Sequence, residues 1–88
     1  MRYQVFWTEA AEAELASIWA AADDRHAVSQ AADGLDRELW VAPNQVGESR
    51  SGNRRIAHWL PLGISFEVRE EDRQVSVVAV WECRKTGR

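Results

Sequence analysis

Arg54, Arg55 and His58 lie within one short β-rich stretch of an 88-residue chain. Guanidinium groups bind phosphate, and an imidazole moves a proton near neutral pH. Arg50 stands just before them, with Glu48 two residues earlier, and a second basic group, Arg84, Lys85 and Arg88, closes the sequence. Meeting in space, the two groups would form one basic patch for RNA phosphates or for an acidic partner segment. His58 would then be a general acid or base for phosphodiester cleavage, with Glu48 a second candidate base. The plainer readings are solvated arginines on a loop and a tail, a solvated Glu48, and a sheet histidine with no chemistry. Strand alternation favours the last of these, because it places His58 with Ile56 and Leu60 and away from Arg55. Glu67 and Arg69 share a strand face and can pair there. Cys83 has basic neighbours, Arg84 and Lys85, that would lower a thiol pKa. No histidine is evidently paired with it, so it reads as a partly buried spectator, and His26 as a surface residue.

The patch is local, because the whole chain is acidic. Its 14 acids and 11 bases leave a net charge of −3, the wrong sign for general coating of nucleic acid. The total hides a gradient. Residues 1–44 hold 3 bases and 8 acids, or −5, and residues 45–88 hold 8 bases and 6 acids, or +2. The single cysteine excludes an internal disulfide, and without a CxxC pair a zinc site has no usual signature. GxGxxG, GxxxxGK[ST], HExxH and GxSxG are all absent, so no cofactor or metal is expected. No apolar run approaches the ~18 residues of a membrane span, and the N-terminus lacks a signal-peptide pattern. The chain reads as cytoplasmic, as a single domain over residues 1–88, and as having no business with membranes.

The elements that must position these groups follow from periodicity. Arg2–Trp7 alternates as a strand, with Tyr3, Val5 and Trp7 on one face. Thr8 then offers an N-cap, and Ala11, Leu15, Ile18, Trp19 and Ala22 form one helical stripe. Asp23-Asp24 breaks that helix, and Val28, Ala32, Leu35 and Leu39 carry a second one as far as Pro43. Gly34 within it marks a close helix contact, since glycine costs about 1 kcal/mol relative to alanine there. Residues 45–53 read as a loop, and Arg54–Leu60 as a strand. Leu62–Arg69 follows as a half-buried strand. Residues 75–82 form the last strand, apolar on both parities and so predicted central and covered on both faces. Of the five tryptophans, Trp7, Trp19 and Trp81 are predicted inward. An exposed Trp59 would make a binding hot spot. The expected fold is α+β in two layers: an N-terminal strand, an αα-hairpin and a three-stranded antiparallel meander, forming a four-stranded, largely antiparallel sheet covered on one face.

Several phrases in this order resemble the RelE/ParE toxin superfamily of bacterial type II toxin–antitoxin systems. They begin with Val5-Phe6-Trp7-Thr8-Glu9-Ala10-Ala11 entering a helix and Leu35–Leu39 followed by Pro43. Gly47-Glu48-Ser49-Arg50 and Arg54-Arg55-Ile56 come next. Pro61-Leu62-Gly63-Ile64-Ser65-Phe66-Glu67-Val68 and Asp72-Arg73-Gln74-Val75 leading to Val80-Trp81 complete the set. The resemblance covers nearly the whole chain. It implies a β-α-α-β-β-β toxin that inhibits growth and is neutralised by a cognate antitoxin. Members of one kind cut messenger RNA on the ribosome without a metal. Members of the other bind a protein, DNA gyrase, and lack the nuclease residues. For a nuclease, the resemblance points to basic residues, Arg54 and Arg55 on the strand and Arg84 and Lys85 after the last one. The catalytic set would then be Arg55, His58 and Arg84, with Glu48 as an alternative base, and Arg50, Arg54 and Lys85 would bind substrate. Cleavage through the 2′-hydroxyl needs a base, a cation for phosphate charge and an acid for the leaving oxygen. The Arg that nuclease members carry near the start of the next strand is replaced by Gly63 or its neighbours, and no Tyr or His follows the last strand. Both mechanisms therefore stay open, as does the oligomeric state.

Overall fold

A computed structural model describes residues 2–83. The order is β1 (Gln4–Trp7), α1 (Glu9–Ala21), α2 (Arg25–Val41), a 3-10 turn (Pro43–Gln45), β2 (Glu48–Ser49), β3 (Arg54–Trp59), β4 (Leu62–Arg69) and β5 (Gln74–Glu82). Thr8 caps α1 by accepting the Ala11 N–H, and Asp24 caps α2 by accepting that of Ala27. Each satisfies one of the amides that a helix start leaves open.

Five strands form one sheet in the order β1-β5-β4-β3-β2. β3, β4 and β5 make the expected antiparallel meander, but β1 joins β5 in parallel, so the sheet is mixed. A fifth strand also differs from expectation, since residues 48 and 49 of the predicted loop pair with Ile56 and Arg55. Two residues are too few to show a period.

Both helices cover one face. α1 lies on β5 and α2 on β3 and β4. Val28, Ala31, Leu35 and Leu39 of α2 meet Leu62, Ile64, Phe66, Val75 and Val77 in a single core. α1 buries only Ala11 completely. Trp19, expected inside, is 43% exposed and lies under the Arg25 guanidinium, 4.6 Å from the ring centre. The rest of the α1 stripe, Leu15, Ile18 and Ala22, packs only partly buried against the core.

β5 corrects the expectation of a two-sided central strand. The register slips between Ser65 and Phe66, whose partners are Ala79 and Val77, leaving Val78 as a bulge. A bulge reverses alternation. Val75 and Val77 face the helices before it and Val80 after it, all nearly fully buried. Both parities are apolar because the inward parity changes partway. The same reversal carries Trp81, expected inside, to the open face. The central strand is β4, buried from Leu62 through Phe66.

Gly34 does sit at a close contact, though with the sheet: a Cβ there would overlap the Trp59 indole. Trp59, 39% exposed, packs across α2 from the end of β3. Far from it, the Tyr3 hydroxyl donates to both carboxylate oxygens of Glu70, at 2.9 and 3.1 Å, which raises its pKa above the ordinary value.

Candidate functional site on the open sheet face

The helices leave the second sheet face uncovered, and the register decides what it displays. Arg54, Ile56 and His58 of β3 stand opposite Glu67, Ser65 and Gly63 of β4. These in turn face Ser76, Ala79 and Trp81 of β5. In the row formed by His58, Gly63 and Trp81, the two rings meet edge to face, with centroids 6.1 Å apart at 77°. Gly63 makes this possible, because a Cβ would overlap the indole. The result is an aromatic plate across three strands.

The next cation on this face is Arg54. Its Nη2 donates to Glu67 Oε2 at 2.8 Å and its Nη1 to Ser65 Oγ at 3.4 Å. Its Nε is buried without a partner, and Ser65 is buried beneath the side chain. Glu67 thus pairs across the strands with Arg54, while Arg69 lies 3.9 Å from Asp72. At the β2 rim, Arg50 binds Glu48 at 3.0 Å, both side chains well exposed. Each of these arginines has a carboxylate against it.

Arg55 faces the other way. Alternation turns it to the helix side with Ala57, where its Nε donates to the Val46 carbonyl at 3.0 Å and its Nη2 to that of Gly47 at 3.1 Å. Gly47 has φ of 68°, and a Cβ there would overlap the Ile56 carbonyl. Arg55 therefore clamps the loop entering β2 and does not converge with His58. His58 is exposed beside Trp81, with no side-chain hydrogen bond among the described residues. Arg84 and Lys85 lie outside the described residues. Cys83, half-buried, donates its backbone N–H to the Pro61 carbonyl.

Of the residues singled out by sequence, the open face and its rim bring together Arg54, His58, Glu48 and Arg50, and exclude Arg55. Ser65, Glu67 and Trp81 are the participants that sequence reasoning placed elsewhere or passed over. The hairpin register would have found Glu67. A turn at Leu60-Pro61 sets Arg54 opposite it, as surely as it sets His58 opposite Gly63.

Two clefts flank the helices. One of about 440 Å³ lies between α1 and α2, over Leu15, Trp19 and Val28, with Glu12 and Asp33 at its rim. Another of about 500 Å³ runs between the end of α2 and β3, over Val41, Val46 and Ala57. Among the described residues no cluster of three His, Cys, Asp or Glu side chains is placed to hold a metal ion. No helix among them is long and apolar enough to cross a membrane.

No family model and no curated protein matches the chain. Solved structures do. A chain of the toxin–antitoxin complex RelBE2 from Mycobacterium tuberculosis superposes with a TM-score of 0.74 at 18% identity, over 93% of this chain and 92% of that one. A chain of the chromosomal ParDE TA system from P. aeruginosa gives 0.71 at 17% identity, over 93% and 97%. The fold is of the RelE/ParE kind.

Proposed function

We propose that the chain is the toxin of a toxin–antitoxin pair, a cytoplasmic growth inhibitor neutralised by a cognate antitoxin. We further infer that it acts by binding a protein, for example DNA gyrase, rather than by cutting RNA. The shared fold with chains from two such systems supports the toxin role. The observation that carries the mechanism is the pairing of cations on the open face: Arg54 with Glu67, Arg50 with Glu48 and Arg69 with Asp72. A ribonuclease needs unpaired positive charge where the phosphate becomes more negative. Here the described arginines of that face are neutralised, and Arg55 points to the other side of the sheet. The aromatic plate beside a neutral ion pair suits a protein surface, where tryptophan is a frequent anchor.

One observation favours the second reading, a metal-independent mRNA interferase. His58 and Trp81 stand on the same face, an imidazole for proton transfer beside a ring on which a base could stack. The two readings separate on expression without antitoxin. Growth arrest with no new 5′ ends in primer extension of translated messages is the expected result. New ends within coding sequence would replace protein binding with cleavage, and absence of arrest would remove the toxin role itself.

A further inference from the structure

We propose that Glu67 sets the specificity of the open face: by holding Arg54 in an ion pair, it keeps single-stranded RNA off a surface otherwise furnished to bind it. The inference rests on the reading of this face as protein-binding and supplies its cause.

The register places the two residues directly opposite on neighbouring strands. Directly opposed side chains leave adjacent backbones ~5 Å apart and meet without a conformational search. The guanidinium fork fits a carboxylate as it fits a phosphate. At 2.8 Å, Glu67 Oε2 occupies the Nη2 donor that a phosphate oxygen would take. One Nη1 N–H reaches Ser65 Oγ at 3.4 Å, and the buried Nε cannot turn outward to a ligand. Each Nη keeps a second N–H, but the Glu67 carboxylate at 2.8 Å cancels the charge that would draw a phosphate to Arg54 and would itself repel one.

Around this pair lies the rest of a single-strand platform. Such platforms combine stacking rings with a cation for the backbone. His58 stands two residues along β3 from Arg54, and Trp81 stands beyond Gly63. The rings are in place and the cation is present, and Glu67 is what neutralises that cation. The other two pairs are different. Arg50–Glu48 is at the rim with side chains 48% and 76% exposed, and Arg69–Asp72 is long at 3.9 Å. Solvent screens both more than it screens Arg54–Glu67, whose side chains are 42% and 36% exposed and whose bond is 2.8 Å.

The test uses the purified full chain and a fluorescein-labelled single-stranded RNA oligonucleotide, read by fluorescence anisotropy across a salt series. Glu67→Gln keeps the shape of the side chain and removes its charge. It should bind about tenfold tighter than the parent at low salt, the worth of one charge-assisted contact near the surface. Its log–log salt slope should steepen by about 0.7, one phosphate contact on a single strand. Glu67→Ser, too small to strain the ladder, should show the same gain should the glutamine variant fold poorly by circular dichroism. The gain should vanish in R54A/E67Q. Glu48→Gln, which removes an equal charge from the rim, should stay within about twofold of the parent. The proposal is overturned when Glu67→Gln and Glu67→Ser bind no tighter, when R54A/E67Q keeps the gain, or when Glu48→Gln gains as much. New 5′ ends in cells would defeat the protein-binding reading and leave this comparison intact. A flat affinity series would defeat the role of Glu67 and leave growth arrest intact.

Discussion

Gly63 shows how one missing atom organises the open face. In the middle strand it lies between His58 and Trp81, and only hydrogen there lets the two rings approach edge to face. An alanine would overlap the indole, and β4 is the central strand, so the backbone has little room to yield. Gly63→Ala should therefore destabilise the protein by about 1–3 kcal/mol, the usual cost of overpacking, seen as a lower urea midpoint at unchanged slope. A loss under about 0.5 kcal/mol, the ordinary scatter of surface changes, would mean that the rings separate freely and that the plate is not a rigid feature. At this scale the sequence is legible where chemistry is local. The Thr8 cap follows from a hydroxyl before an acidic first turn, and the separation of His58 from Arg55 follows from alternation alone. The Arg54–Glu67 pair is not local. Along its own strand Glu67 has Arg69 as a partner, and only pairing across the hairpin brings Arg54 closer.

Elements were readable to the extent that their period was unbroken. α2 carries a regular apolar stripe and was expected nearly as it lies. β5 does not, because the bulge at Val78 reverses which parity faces the helices, and from composition alone that looks like a strand covered on both sides. β2 was invisible for another reason. It has two residues, held by pairing with β3 and by the Arg55 guanidinium on the carbonyls of Val46 and Gly47. That clamp gives Arg55 a role as a fastener between loop and strand. Arg55→Ala leaves two carbonyls without their charged donor, so stability should fall by about 1–3 kcal/mol. Backbone amides near Val46 and Gly47 should exchange faster with deuterium, while growth arrest at matched levels of folded protein should persist. Arrest abolished at unchanged stability and exchange would show instead that Arg55 touches the target, and would restore its place in the functional site.

For the whole molecule, the division between an acidic helical half and a mildly basic sheet half describes charge, not folding units. Hairpin and sheet share one core, in which Leu35 and Leu39 of α2 lie fully buried against Leu62, Ile64 and Phe66 of β4 and Val75 of β5. Neither half can bury its apolar face alone, and a folded chain of 88 residues hides only a little over ~60% of its unfolded surface, which leaves a narrow margin of stability. Loss of one shared side chain should then weaken both halves together. Leu35→Ala should cost about 2–5 kcal/mol, the range for truncating a fully buried leucine. In a domain of this size each kcal/mol moves the midpoint by about 4–8 °C, so Tm should fall by at least ~8 °C. Far-UV circular dichroism follows mainly the helices. Tryptophan fluorescence follows Trp7, Trp59 and Trp81 on the sheet together with Trp19 and Trp40 on the helices. With one core the two melting curves should superimpose in the parent and in Leu35→Ala alike, displaced by the same amount. Separate transitions would make the hairpin an independent unit, and the positioning of β3 and its Arg54 would then no longer depend on the helices behind it.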